Sequence, residues 1–146
     1  MTDRLPDATR NPRSYRHWTP VSLRFRDIDL LGHVNNVALA GWLEDARVAL
    51  ELPVQPMTAG YSGPIVVLAE LRIQYLAETH WGDAIRVGTA VERLGRTSLT
   101  LAQAIFRGDE CVVAARAVEV LIDPVTRAPM PWPAEFVALF EPHRIG

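Results

Sequence analysis

From Pro64 to Ile122 apolar residues recur at every second position, and that rhythm leaves few folds open to the chain. Ile65, Val67, Ala69, Leu71, Ile73 and Tyr75 alternate with a mixed face carrying Glu70, Arg72 and Gln74. Gly82-Asp83 turns the chain into a second run, where Ile85, Val87, Thr89 and Val91 alternate with Arg86, Gly88 and Glu92. Gly95-Arg96 leads into a third run over 97–106, and Arg107-Gly108-Asp109-Glu110 into a fourth over 111–122. A period of two marks half-buried strands, and turn residues at this spacing belong to an antiparallel meander.

Ahead of these strands lies one helical run. It is predicted from Asn36 to Leu52, with Asn35 or Asn36 as N-cap and Pro53 and Pro56 as terminators. Val37, Leu39, Ala40, Leu43, Ala46, Val48 and Leu50 give a broad apolar face. Glu44, Arg47 and Glu51 fall on the other side, where weak ion pairing in solvent is expected. Val21, Leu23 and Phe25 alternate with Ser22, Arg24 and Arg26 and predict a first strand over 18–26. A short helix is expected over 134–140. A sheet of five strands has one apolar face that a single helix can fill, so the fold class is α+β, a mostly antiparallel five-stranded sheet wrapped around a long central helix. Residues 1–17, polar and without periodicity, read as a flexible arm whose Arg4, Arg10, Arg13 and Arg16 are solvated; 18–146 read as a single domain.

Composition narrows the function. A net charge of −2 over 146 residues argues against a nucleic-acid partner. A single cysteine, Cys111, excludes an internal disulfide and a cysteine metal site. The first residues lack the apolar stretch of a signal peptide, and no run approaches the roughly 20 apolar residues that span a bilayer. A cytoplasmic protein without membrane insertion is the default expectation. His17, His33, His80 and His143 show no metal-ligand spacing, so no metal is expected.

Chemistry is concentrated between the first strand and the helix, in Asp27-Ile28-Asp29-Leu30-Leu31-Gly32-His33-Val34-Asn35-Asn36. A helix N-terminus supplies unpaired N–H donors and the positive end of a macrodipole, both suited to an oxyanion. A carboxylate just upstream can act as general base on water or attack a carbonyl directly. That points to Asp29 as base or nucleophile and to the Asn36 N–H as carbonyl-polarising donor. A purely structural Asx-turn is the competing role for Asp29. His33 could orient substrate, bond Asp29 or simply be structural. Gly32 is expected to supply a positive φ or a close backbone approach, Asn35 a cap, and Asp27 hydrogen bonds within the loop. Ser98 lacks a Gly-x-Ser-x-Gly elbow, so a serine hydrolase is a poor reading.

The D-x-D-x-x-G-H-V-N-N loop, the helix ending in Glu44-x-x-Arg47, and the turn Gly95-x-Thr97-Ser98 together resemble the hotdog-fold acyl-CoA thioesterases of the 4-hydroxybenzoyl-CoA thioesterase type. The stretch from Asp29 to Trp42 is also similar to plant acyl-ACP thioesterases, which share His-Val-Asn-Asn and a downstream Gly-Trp. The resemblance, over roughly residues 18–133, implies a homodimer or a tetramer of dimers with the active site at the dimer interface. It places the catalytic carboxylate on Asp29 and the carbonyl-polarising N–H near Asn36. It implies substrate contacts around Gly32 and Asn35. Near the Gly-x-Thr-Ser turn it implies contacts to the CoA phosphates, with Arg96 the first candidate beside Ser98. Some bacterial relatives carry a histidine where this chain has Asn36, and the plant enzymes an asparagine at the place of Leu31.

The leading expectation is thus a cofactor-free thioester hydrolase releasing an acid and a thiol from acyl-CoA or an acyl-carrier-protein thioester. Two others stand beside it: a hotdog enoyl-CoA hydratase or dehydratase, and a non-catalytic acyl-CoA-binding domain. Acyl-chain length is not written in the residues, because one scaffold hosts many substrates.

Overall fold

The four alternating runs from Pro64 onward become strands within a residue or two of where their period places them. The computed structural model describes residues 3–146. Its main elements are β1 (His17–Pro20), α1 (Asn36–Glu51), β2 (Ile65–Tyr75), β3 (Ile85–Leu94), β4 (Ser98–Arg107), β5 (Glu110–Ile122) and α2 (Ala134–Phe140). The strands form one sheet in the order β1-β3-β4-β5-β2, and every neighbouring pair is antiparallel. This is the α+β arrangement expected.

Two clusters share the inner face of the sheet. Leu39, Trp42, Leu43 and Ala46 of α1 pack with Val34, Ile85, Val87, Ile105, Val113 and Ala115. Toward the far end of the strands Leu50, Val91, Leu99, Leu101 and Leu121 meet Trp132, Phe136 and Phe140 from α2 and the segment before it. Burying each such side chain contributes roughly 1.5–3 kcal/mol, so the two clusters are the main force holding helix to sheet.

Three expectations are corrected. The first strand is short: Pro20 has no N–H to continue a ladder, and after one more bond (Val21 N–H to the Ile85 carbonyl, 3.2 Å) the chain leaves the sheet. Val21 and Leu23 still pack on the core, but Phe25 opens a 3₁₀ turn through Asp27 and is 82% exposed.

The second concerns α1, whose polar stripe does not face solvent. Arg47 and Glu51 are each only 3% exposed. The Arg47 guanidinium pairs with Glu119 on β5 (3.1 Å) and donates to Gln103 on β4 (3.0 Å). Gln103 in turn donates to the Leu43 carbonyl (3.0 Å) and to Thr89 on β3 (3.1 Å), the residue opposite it in the ladder. Glu51 lies buried against Glu119, and burial raises the Glu51 carboxyl well above its ordinary range. Only Glu44 of the expected polar face is exposed. Because the sheet covers a flank of the helix as well as its apolar face, a polar stripe can end up inside, where it must be paired.

The third is the arm. Leu5, Thr9, Ser14 and Tyr15 are buried, and Asp7–Arg10 and Pro12–Ser14 form 3₁₀ turns. The Leu5 N–H donates to Gln74 on β2 (3.1 Å), and Gln74 donates to the Asp3 carbonyl (2.9 Å). The Tyr15 ring lies over Gly88 in a third cluster with Ala90, Ala104, Phe106 and Trp18, on the sheet face turned away from α1. A Cβ at Gly88 would come within 2.6 Å of that ring, so the glycine makes room for it. The segment is a strap across the outer face of the sheet.

Candidate active site

The loop before α1 is built from short-range hydrogen bonds that the sequence encodes. Asp27, buried, accepts the Arg24 N–H (2.9 Å), and its carbonyl accepts the Asn35 N–H (2.7 Å). Asp29 N–H donates to the His33 carbonyl (2.9 Å), closing a tight loop in which Gly32 has a φ of +79°, a value that favours glycine. Asp29 Oδ1 accepts the N–H of Leu31 (2.9 Å) and, at longer range, of His33 (3.4 Å). The Asx-turn is therefore real, and it uses one carboxylate oxygen; Oδ2 accepts no hydrogen bond among the described residues. Asn35 caps α1, its side-chain oxygen accepting the Val37 N–H (2.8 Å). The Asn36 N–H is left without a partner among the described residues, at the positive end of a 16-residue helix.

Asp29, His33, Val34, Asn36 and Leu39 line a cleft of ≈ 360 Å³, whose other wall is Tyr75-Leu76-Ala77-Glu78-Thr79. The two walls are tied by the Val34 N–H donating to the Thr79 carbonyl (2.8 Å). His33 does not bond the Asp29 carboxylate through its ring. Its Nε2 lies 3.1 Å from Glu78 Oε2 instead. Glu78 and its neighbours follow the end of β2, and nothing in the alternation marks them as a wall; a Glu-Thr-His run between the strand and the Gly82 turn is the one signal that could have drawn attention.

Other expected residues lie elsewhere. Asn35 lines a separate shallow hollow with Asp27 and Gly41, and its side-chain oxygen is committed to the cap. Arg96, exposed, and Ser98 sit at the β3–β4 turn, held by Gly95 N–H to the Ser98 carbonyl (2.8 Å) and by Trp132, whose backbone and indole N–H groups donate to the carbonyls of Arg96 and Ser98. Ile105, which packs beside Val34 and Leu39, is seven residues along β4 from Ser98. That is roughly 23 Å at the usual strand rise, so one chain does not bring Arg96 to Asp29. Around the cleft the surface is apolar: Leu30, Leu31 and Val37 are exposed, and Phe25 meets Trp81 edge-to-face at 6.2 Å.

A family model of the thioesterase-like superfamily matches residues 23–140. The chain belongs to that superfamily. Its fold is the hotdog arrangement of solved thioesterases. The PA5185 protein of Pseudomonas aeruginosa PAO1 is 25% identical, superposes with a TM-score of 0.85, and the match covers 93% of this chain and 96% of that one. A thioesterase from Thermus thermophilus, crystallised with coenzyme A and Zn, is 28% identical with a TM-score of 0.75, over 87% of this chain and 98% of its own. An uncharacterized protein of Bacillus subtilis (strain 168), YsmA, is 27% identical over 88 residues, 60% of this chain. The match spans 59% of that relative's length. For this superfamily member no helix among the described residues is long and apolar enough to cross a membrane.

Proposed function

We propose that this superfamily member hydrolyses acyl-CoA thioesters, with acyl-carrier-protein thioesters as the second substrate class. The observation that carries the reading is the placement of a carboxylate with a free oxygen, Asp29, and an unpartnered helix N-terminal N–H, Asn36, on one cleft. A thioester carbonyl seated between them meets a donor for the oxygen that becomes negative and a base for the water that attacks. Such a donor is typically worth roughly 3–4 kcal/mol in the transition state. Attack by Asp29 itself, through an anhydride that water then opens, uses the same geometry. His33 and Glu78 form the polar side of the cleft, where the polar portion of a substrate fits, and Leu39, Leu76 and Ala77 supply apolar wall for the acyl group.

The exposed Leu30, Leu31 and Val37 beside the cleft suit burial by a second copy of the chain. In a homodimer, Arg96 of the partner subunit is the candidate contact for CoA phosphates. That the Thermus relative was crystallised with coenzyme A supports the same substrate class.

The test is thiol release, followed with a thiol-reactive dye, from a panel of acyl-CoAs by wild type and Asp29→Asn. Asparagine keeps an Oδ1 acceptor for the Leu31 N–H, so the loop survives while the base is lost. Turnover abolished in the variant supports the reading, and full turnover by Asp29→Asn sinks it.

A further inference from the structure

His33 and His80 stand 47 positions apart, a spacing that carries no metal signature, yet the fold sets their rings edge-to-face with centroids 5.4 Å apart. Glu78 lies between them. Its Oε2 is 3.1 Å from His33 Nε2 and 3.7 Å from His80 Nε2, and the three donor atoms all lie within 4.8 Å of one another. We propose that His33, Glu78 and His80 form a site for a first-row divalent cation of the zinc type at the rim of the cleft.

Four observations carry this. First, tetrahedral zinc with bonds near 2.0–2.1 Å sets its ligands about 3.3 Å apart, and both distances to Glu78 fall within about half an ångström of that value. Second, two imidazoles and one carboxylate are the donor set that zinc and its neighbours prefer; calcium and magnesium take oxygen ligands. Third, among the described residues no guanidinium pairs with the Glu78 carboxylate, whose side-chain neighbours are the two imidazoles themselves. Arg107, the nearby guanidinium, pairs with Asp83 and Glu110 and touches Glu78 only at its backbone carbonyl (2.8 Å). Fourth, the ligand-bearing segments are braced before any ion arrives. Val34 N–H holds the Thr79 carbonyl at 2.8 Å, and Asp83 accepts the His80 N–H at 2.8 Å and the Arg107 guanidinium at 3.4 Å.

Three protein ligands leave a fourth position for water or another small ligand. His33 and Glu78 both line the cleft that holds Asp29, which sets the site at the rim of that cleft. The proposal does not depend on thioester hydrolysis, because its test reads binding. Chelator-stripped full-length protein is titrated with ZnCl₂ by calorimetry and with CoCl₂ by visible absorption. One equivalent is expected, with the d–d bands of a nitrogen- and oxygen-ligated cobalt. His80→Ala and Glu78→Gln, both at exposed side chains, should each weaken binding at least ~10-fold. His17 and His143, also in edge-to-face contact at 5.5 Å, provide the control: His17→Ala should bind as wild type does. No stoichiometric uptake by wild type, undiminished uptake by both ligand variants, or loss of uptake in His17→Ala would each overturn the site.

Discussion

At its C-terminal end α1 buries Arg47 and Glu51 against Glu119 and Gln103, whereas at its N-terminal end Asn36 and Val37 are exposed beside a cleft. Hydrogen bonds are directional where apolar contacts are not. The buried network therefore fixes the rotation of the helix over β3, β4 and β5. A helix held in that way can leave its first turn uncovered without drifting from the loop that carries Asp29. On the proposed mechanism, stability and chemistry are drawn from opposite ends of one element, and mutations at the two ends should separate the two properties.

The sharpest separation comes from Asp29→Asn, expected to lower thiol release by about 10³-fold, equivalent to about 4 kcal/mol of transition-state stabilisation. Its urea-unfolding midpoint should stay close to that of wild type, because the turn keeps its acceptor. Arg47→Ala should do the reverse. Breaking a buried ion pair leaves Glu119 and Gln103 without their partner and costs about 3–5 kcal/mol, measured by urea unfolding. If Arg47→Ala unfolds at the wild-type midpoint, the anchor is not where the geometry places it.

Glu51 adds an effect with a definite pH signature. Burial chiefly, then the neighbouring Glu119, push its carboxyl from 4.5 to about 10, with Arg47 opposing. The unfolded chain releases this proton above about pH 4.5 while the folded chain retains it. The contribution to stability is therefore complete below 4.5 and is lost as pH rises toward 10, with a slope of at most about 1.4 kcal/mol per pH unit for one linked proton. Glu51→Gln keeps a donor toward Glu119 and should flatten that slope, seen by unfolding at about pH 5, 7 and 9. Smallest is Asn35→Ala, which removes the cap of α1 and should cost about 1 kcal/mol, with Asn35→Asp recovering most of it. Because the cap shapes the first turn, thiol release by Asn35→Ala also reports how firmly the Asn36 N–H must be held.

Legibility in the sequence followed the range of the interaction. The strands β2 to β5, the span of α1, the Asn35 cap, the Asp27 loop bonds and the positive φ of Gly32 all rest on neighbours within a few residues, and each was readable there. The inward turn of Arg47 and Glu51 was not, because it depends on Gln103 and Glu119, more than fifty positions away. The strap binds through single anchors, Leu5 and Tyr15, which leave no period in the sequence. The meeting of His33 with Glu78 and His80 depends on how β2 ends against the loop, and the separation of Arg96 from Asp29 on strand length, neither of which is encoded locally.

The bare backbone at Gly88 also bears on the order in which the chain is made. Tyr15 leaves the ribosome long before Gly88, Ala104 and Phe106, the residues that form its seat. Until β3 and β4 have paired, Tyr15 has no seat, and β1 has no neighbour, since it pairs with β3. The strap is thus synthesised ahead of the strands that seat it and docks only after them. In the nascent protein its apolar anchors wait in solvent, and the outer face of the sheet stays open until they arrive.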